Sequence, residues 1–285
     1  MDLRKAIYYM ILSTIAFACM NVLLKHLTQY NTFELVFFRS IGTLFFTFSI
    51  LIHKKIPILG THRKLLVLRG LVGVTSMSLF FLAIHYMPVG SAVGLRYISP
   101  IFAAIFALFI LNEKVKPIQW LFFLMSFVGV IVLKGFDKNV SVLGFIFAIA
   151  AAATSGLVYI IIRKIGTKEH PVVIVNYFMC IAAILGGILS IFNWKTPQGL
   201  DLVLLLSLGV LGYFGQIFMT KAFQIGETSI IAPIKYIEVV FSIVAGVGFL
   251  GEAYTIFSIV GMVLIICGVL LNIWYKRVNT AKLEA

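Results

Sequence analysis

The sequence predicts an all-α integral membrane protein of ten transmembrane helices, arranged as two inverted five-helix repeats. Three observations lead there. The 285-residue chain is 61% hydrophobic and 12% charged, with a mean hydropathy of +1.09, whereas soluble chains are about 25% charged and about 45–50% apolar. Apolar runs close to the roughly 20 residues that cross a bilayer core of about 30 Å recur along the whole chain. The chain also matches itself at a fixed offset, Glu113 to Glu252, which is 252 − 113 = 139 residues.

The ten runs are 6–24, 33–52, 65–86, 90–111, 117–133, 142–162, 171–192, 202–222, 229–250 and 254–275. Lipid offers no partner for a backbone amide, so each run satisfies its own backbone as a helix. The length of the continuous runs excludes a β-barrel. The first run follows Arg4 and Lys5 and contains Ala16-Phe17-Ala18, a weak cleavage-like triplet. With nine further spans behind it, it is expected to be retained as a helix rather than removed as a signal peptide. The second run carries Arg39, which with Arg96, Lys235 and Glu238 is expected to face a cavity or a partner; pairing with Glu34 or with backbone carbonyls is the alternative. The third carries Arg69 a few residues from its cytoplasmic end, where the side chain is expected to snorkel outward. The fourth contains the segment LRYISP at 95–100. The fifth opens at Pro117, just past Glu113. The eighth holds Gly209, Gly212 and Gly215, a spacing that predicts close approach to a neighbour. Pro233, Lys235, Tyr236 and Glu238 stand in the ninth. Cys19, Cys180 and Cys267 all fall inside spans and are read as small packing residues. They have no metal-ligand spacing and no disulfide framework.

The net charge of +13 does not point to nucleic acid, because its distribution follows the membrane. With a cytoplasmic N-terminus, fifteen basic residues lie in inner segments and four (Lys25, Lys134, Lys138 and Lys195) in outer ones. This is the positive-inside pattern, and ten spans then place both termini in the cytoplasm, in a bacterial cytoplasmic (inner) membrane.

The offset of 139 also aligns Gly70 with Gly209, Gly73 with Gly212, Tyr97 with Tyr236, Phe102 with Phe241 and Gly129 with Gly268, and it sets Arg96 on Lys235. No gap is needed between residues 65 and 132. The halves are 1–138 and 139–285. Five helices per half is odd, so the second half enters from the opposite side of the membrane. Inverted repeats of this kind hold a substrate near the midplane between them.

LFILNEK at 108–114 with FVGV at 127–130, and GFLGEA at 248–253 with ICGV at 266–269, resemble the drug/metabolite transporter superfamily in its EamA-type branch. The resemblance covers the whole chain. It implies a ten-helix transporter of small metabolites without ATPase parts, whose central cavity is lined mainly by the first, third, fourth, sixth, eighth and ninth helices. It does not fix the substrate.

An ionisable group at membrane depth is a functional candidate. Arg96 lies six residues after Gly90 and Lys235 six after Ser229, each about 9 Å along its helix, so the two cations flank the midplane from opposite sides. Arg96, Tyr97, Lys235, Tyr236, Asn21 and Gln216 are the expected substrate-binding residues. Pro100 and Pro233 are expected to kink their helices and gate them, each freeing a carbonyl one turn earlier. Glu238 has two roles open to it: charge pairing with Lys235 or Arg96, or proton coupling. Glu113 and Glu252 are read as complements to the dipoles of the helices that follow them.

The expected activity is secondary active transport of a small organic metabolite, an amino acid or another carboxylate-bearing solute, by alternating access. A nucleotide-like or flavin-like solute also suits cations and aromatic faces. The expected partners are the small-molecule substrate, the lipid bilayer and protons; no nucleic acid, metal or cofactor is implied. A membrane-embedded enzyme is the reading from another class. Against it, His26, His53, His62, His85 and His170 lie near span ends without a close pair, and no GxSxG, HExxH or Walker loop occurs.

Overall fold

In a computed structural model the described residues are 3–110, 117–136, 140–225, 234 and 237–284. They fold into helices throughout, with no strand among them: α1 (Leu3–His26), α2 (Thr32–His53), α3 (Arg63–Tyr86), α4 (Val89–Arg96), α5 (Ser99–Ile110), α6 (Pro117–Phe136), α7 (Val142–Ile165), α8 (Pro171–Ser190), α9 (Leu200–Ile225), α10 (Ile237–Leu250) and α11 (Ile256–Glu284). Six of these, α1, α2, α3, α7, α8 and α9, are long and apolar enough to cross a membrane; Pro117–Val132, Val240–Leu250 and Ile256–Asn272 are shorter apolar helices. The protein is a multi-pass membrane protein.

Local chemistry sets several helix starts. The Asn31 side chain accepts from the Phe33 amide at 2.8 Å and caps α2. Ser141 accepts from the Gly144 amide at 3.0 Å at the start of α7. Pro171 opens α8 behind His170, at a position whose missing N–H costs nothing.

The fourth run differs from its expectation. It is two helices, α4 and α5, separated at Tyr97 and Ile98. The chain crosses the gap by short turns, Ile98 N to Leu95 O at 3.1 Å and Ile101 N to Ile98 O at 2.8 Å. Pro100 is the second residue of α5. It therefore does not kink the middle of a span; it sits in the first turn of a new helix, where the amide it lacks has no intrahelical partner to miss.

Packing runs across the chain midpoint rather than within halves. α1 packs on α9 and α10, α2 on α8 and α9, α3 on α7 and α8, α5 on α7, and α6 on α11. Glycines set the closest approaches, as expected for the eighth span. A Cβ on Gly42 of α2 would stand 2.8 Å from the Gly209 Cα of α9, and Thr43 Oγ1 donates to the Gly209 carbonyl at 2.9 Å. The contact between α6 and α11 is reciprocal. A Cβ on Gly129 would lie 2.7 Å from the Gly261 carbonyl and 2.8 Å from Ile265 N; one on Gly268 would lie 2.6 Å from the Phe122 carbonyl and 2.9 Å from Ser126 N. Adding 139 to 122, 126 and 129 gives 261, 265 and 268. Ser126 Oγ donates to the Ile265 carbonyl at 3.2 Å, joining two positions that are themselves 139 apart. Gly70 against Ile181 and Gly209 against Gly42 repeat the relationship.

Two expectations are corrected at the periphery. Cys19 and Cys267 are exposed on the outer face of the bundle and Cys180 is half-buried, so the first two are not packing residues. Glu252 complements a helix N-terminus, but that of α4 rather than of α11: its carboxylate accepts from the Val89 amide at 3.0 Å and from the Tyr254 hydroxyl. The α4 N-terminus lies against the α10–α11 connection, while α11 begins at Ile256 behind Thr255, whose hydroxyl accepts from Ser258 N at 3.1 Å. Glu113 lies outside the described residues.

Candidate functional site

Three arginines converge on one internal cavity. Arg39 comes from α2, Arg69 from α3 and Arg96 from the last position of α4; Gln216 of α9, Ser76 of α3 and Tyr159 of α7 share the lining. Arg39 and Arg69 are each 3% exposed, and Arg96 is half-buried. The cavity measures about 70 Å³. That is room for a few water molecules, since about 10–15 Å³ of such space holds one.

The arginines are held by aromatic faces rather than by acids. The Arg69 guanidinium lies 4.4 Å from the Phe178 ring centroid, that of Arg96 4.3 Å from Phe80, and that of Arg39 5.5 Å from Phe81. Arg39 Nη1 also points to the Met77 sulfur. Among the described residues no carboxylate forms an ion pair with any of the three. Arg39 Nε, Arg69 Nε and Arg69 Nη1 are buried without a hydrogen-bond partner. A charge at membrane depth costs about 2.5–3.5 kcal/mol on insertion scales, and a cation–π contact returns about 0.5–2 kcal/mol. The aromatic contacts reduce the cost of the cluster without cancelling it.

One expectation about these residues fails. Arg69 does not snorkel. α3 packs on α8 through Gly70 and Gly73, where a Gly73 Cβ would meet the Phe178 ring at 3.0 Å, and that contact turns the Arg69 side chain inward under Phe178. Arg39 faces the cavity and does not take the alternative partner Glu34, which accepts from the Lys195 amide at 3.3 Å.

A second cluster adjoins the first in sequence. Glu238 on α10 is 1% exposed. One of its oxygens accepts from Asn21 Nδ2 of α1 at 3.0 Å, and the other from the Tyr97 hydroxyl at the α4–α5 break at 2.8 Å. Arg96, one residue from Tyr97, makes no ion pair with Glu238; its guanidinium lies on Phe80. Of the residues expected to bind substrate, Arg96 and Gln216 line the cavity, and the Gln216 Oε1 is buried and unpartnered. Asn21 and Tyr97 are engaged by Glu238. Lys235, Tyr236 and Pro233 lie outside the described residues.

Sequence reasoning missed Arg69 as a cavity residue, and with it Ser76, Ser155 and Tyr159. Ser76 Oγ and Ser155 Oγ are 2.7 Å apart, joining α3 to α7 at the cavity wall. Hydroxyls inside otherwise apolar runs were the available signal. For the Tyr97–Glu238 bond the signal was the offset: position 238 maps to 238 − 139 = 99, two residues from Tyr97.

Outside the spans, Glu169 clamps the segment before α3. It accepts from the Thr61 amide and hydroxyl, both at 2.7 Å, and from the His62 amide at 2.5 Å and His62 Nδ1 at 3.2 Å. Burial raises this carboxyl, and the four donors outweigh it, so it stays below its ordinary value of 4.5.

The EamA-like transporter family model matches twice, over residues 4–134 and 142–274. The S-adenosylmethionine uptake transporter of Rickettsia felis is 31% identical over 88% of this chain and 83% of its own. The pseudopaline exporter of Pseudomonas aeruginosa is 29% identical over 93% and 94%. Human solute carrier family 35 member G1 is 28% identical over 95% and 80%. A solved crystal structure superposes with a TM-score of 0.66 at 17% identity, covering 94% of this chain and 96% of the other, which is a likeness of fold. The named relatives are transporters and solute carriers, not enzymes.

Proposed function

We propose that this chain, which belongs to the EamA-like transporter family, is a secondary active transporter that carries a small organic anion, a carboxylate-bearing metabolite, through the arginine-lined cavity by alternating access. The observation that carries the proposal is the cavity itself: cations from α2, α3 and α4 face one internal space and have no acid to neutralise them among the described residues. An anionic solute supplies the missing charge. A cationic drug would meet repulsion there.

The architecture proposed for it is ten spans in two inverted repeats, 1–138 and 139–285, with both termini in the cytoplasm. The fourth span is α4 and α5 together, and the ninth ends in α10. The reciprocal Gly129 and Gly268 contacts and the double family match support the repeat. Interconversion of two related halves gives a cavity that opens to each side in turn. Arg96 and Gln216 are proposed to bind the solute, with Lys235 and Tyr236 as the repeat equivalents of Arg96 and Tyr97. The break at Tyr97 and Ile98 is proposed as a gate beside Pro100, with Pro233 as a second gate, and Glu238 as the coupling group that ties the gate to α1.

The test is flux into proteoliposomes containing the purified full chain. Saturable, solute-specific uptake that is accelerated by the same solute on the trans side is expected. Conductance that ignores solute identity would rule the carrier out.

A further inference from the structure

We propose that the cavity binds solutes carrying at least two negative charges on oxyanion groups, through Arg39 and Arg69 acting together with Arg96. The inference rests on the carrier reading above; it sets the charge of the organic anion and opens the class to phosphate monoesters beside carboxylates. Arg39 and Arg69 stand on different helices and are both almost wholly buried, and both line the cavity that Arg96 also reaches. Three donor nitrogens, Arg39 Nε and Arg69 Nε and Nη1, find no hydrogen-bond partner among the described residues. Gln216 and Ser76 are in the same wall.

The electrostatics select the valence. A monocarboxylate amino acid at neutral pH carries no net charge, and a simple monocarboxylate carries one. Either leaves like charges facing one another across a small buried cavity, where screening is weaker than in bulk water. Among the described residues neither Glu238 nor Glu34 forms an ion pair with these arginines. Glu238 gives its oxygens to Asn21 and Tyr97, and Glu34 accepts from the Lys195 backbone. A dianion comes closer to balancing the cluster. The planar guanidinium fork also matches carboxylate and phosphate oxygens two at a time. The rings of Phe178, Phe80 and Phe81 lie against the three guanidiniums and leave Arg39 Nε and Arg69 Nε and Nη1 without a hydrogen-bond partner. A dicarboxylate and a phosphate monoester share this chemistry, and the experiment separates them.

The experiment uses the full chain in detergent, with thermal unfolding measured against succinate, glycerol 3-phosphate and lactate. Succinate or glycerol 3-phosphate, or both, should raise the apparent stability in a saturable way, with at least tenfold tighter apparent binding than lactate. Arg39→Gln and Arg69→Gln should each weaken the dianion at least tenfold, and Arg39→Lys and Arg69→Lys less. Because the Gln variants can fail to fold, a second measurement uses the wild-type chain alone: phenylglyoxal labelling of Arg39, Arg69 and Arg96, read by mass spectrometry, should be slowed by the dianion and not by lactate. Equal binding of lactate and the dianions, or labelling unaffected by any of them, overturns the inference. Proteoliposome flux keeps the two readings apart. Dianion binding without flux of any solute overturns the carrier and leaves the site standing, whereas saturable flux of a neutral or singly charged solute that survives Arg39→Gln and Arg69→Gln overturns the site and leaves the carrier standing.

Discussion

Tyr97 and Glu238 meet at 2.8 Å: Tyr97 occupies the gap between α4 and α5, and Glu238 is the second residue of α10. Asn21 completes the contact from α1. The helices α1 and α10 and the break between α4 and α5 thus share one buried carboxylate. Removing the Tyr97 hydroxyl leaves a buried carboxylate oxygen short of a donor, which costs about 1–3 kcal/mol. Tyr97→Phe should lower the unfolding temperature of the detergent-purified protein by about 2 °C or more. An unchanged melting curve would mean that the bond is not a stabilising one.

Glu238→Gln keeps the shape and removes the titrating group. If this carboxyl carries the coupled proton, a pH gradient should no longer drive net uptake into proteoliposomes, while exchange of solute for solute continues. Gradient-driven uptake at the wild-type rate would leave Glu238 a structural acceptor only.

The glycine contacts make a matched pair of predictions. Gly129→Val and Gly268→Val each drive a side chain into the backbone of the facing helix, so both should cut the yield of monodisperse protein, and by similar amounts, as read by size-exclusion chromatography. Gly248 is the control: nothing lies within 4 Å of its Cβ position, and in a helix interior alanine is favoured over glycine by roughly 0.5–1 kcal/mol. Gly248→Ala should leave yield and unfolding temperature unchanged or slightly raised.

The Glu169 clamp predicts a pH dependence with a definite sign. Its carboxyl titrates lower in the folded chain than its ordinary 4.5, so the unfolded state binds the proton more readily. The clamp's contribution is fully present above about 4.5 and is lost as the pH falls through the lowered folded value. Amide exchange at Thr61 and His62 should therefore show more frequent local opening, after correction for intrinsic rates, on the acid side of that range, and Glu169→Gln should remove the pH dependence. Opening that stays constant across the range in the wild type would refute the assignment.

The helical, membrane-embedded character was legible because it needs only hydropathy and run length, which are local. The offset of 139 was legible because it needs only residue identities; that repeat-related positions such as Ser126 and Ile265 touch one another was not. What could not be read was how each helix is turned about its axis. In a soluble helix the polar face marks the outside; here Phe109 and Phe249 are 80% and 83% exposed, and a lipid-facing Phe looks like a core Phe. That is why Arg69, placed correctly along its helix, was sent to the membrane surface when it faces the cavity. Asn21 and Gln216 stood out because a polar side chain in lipid needs a reason that does not depend on rotation; the structure sets Gln216 in the cavity wall and Asn21 on Glu238. LRYISP was recognised as special, but a kinked helix and a broken one leave the same residues in the sequence. The distinction lies in whether Pro100 interrupts a ladder or begins one.

The pairing of helices across the chain midpoint has a consequence for biogenesis. A ribosome delivers α1, α2 and α3 to the membrane before α7, α8 and α9 exist, yet these later helices supply their main packing partners. Phe178, the ring that covers the Arg69 guanidinium, is synthesised more than a hundred residues later. Until it arrives, the first half is an unfinished surface with an uncovered arginine on α3. Maturation therefore has an obligatory order: insertion of the early helices, a waiting period with their glycine faces unfilled, and closure only when the second half threads in beside them.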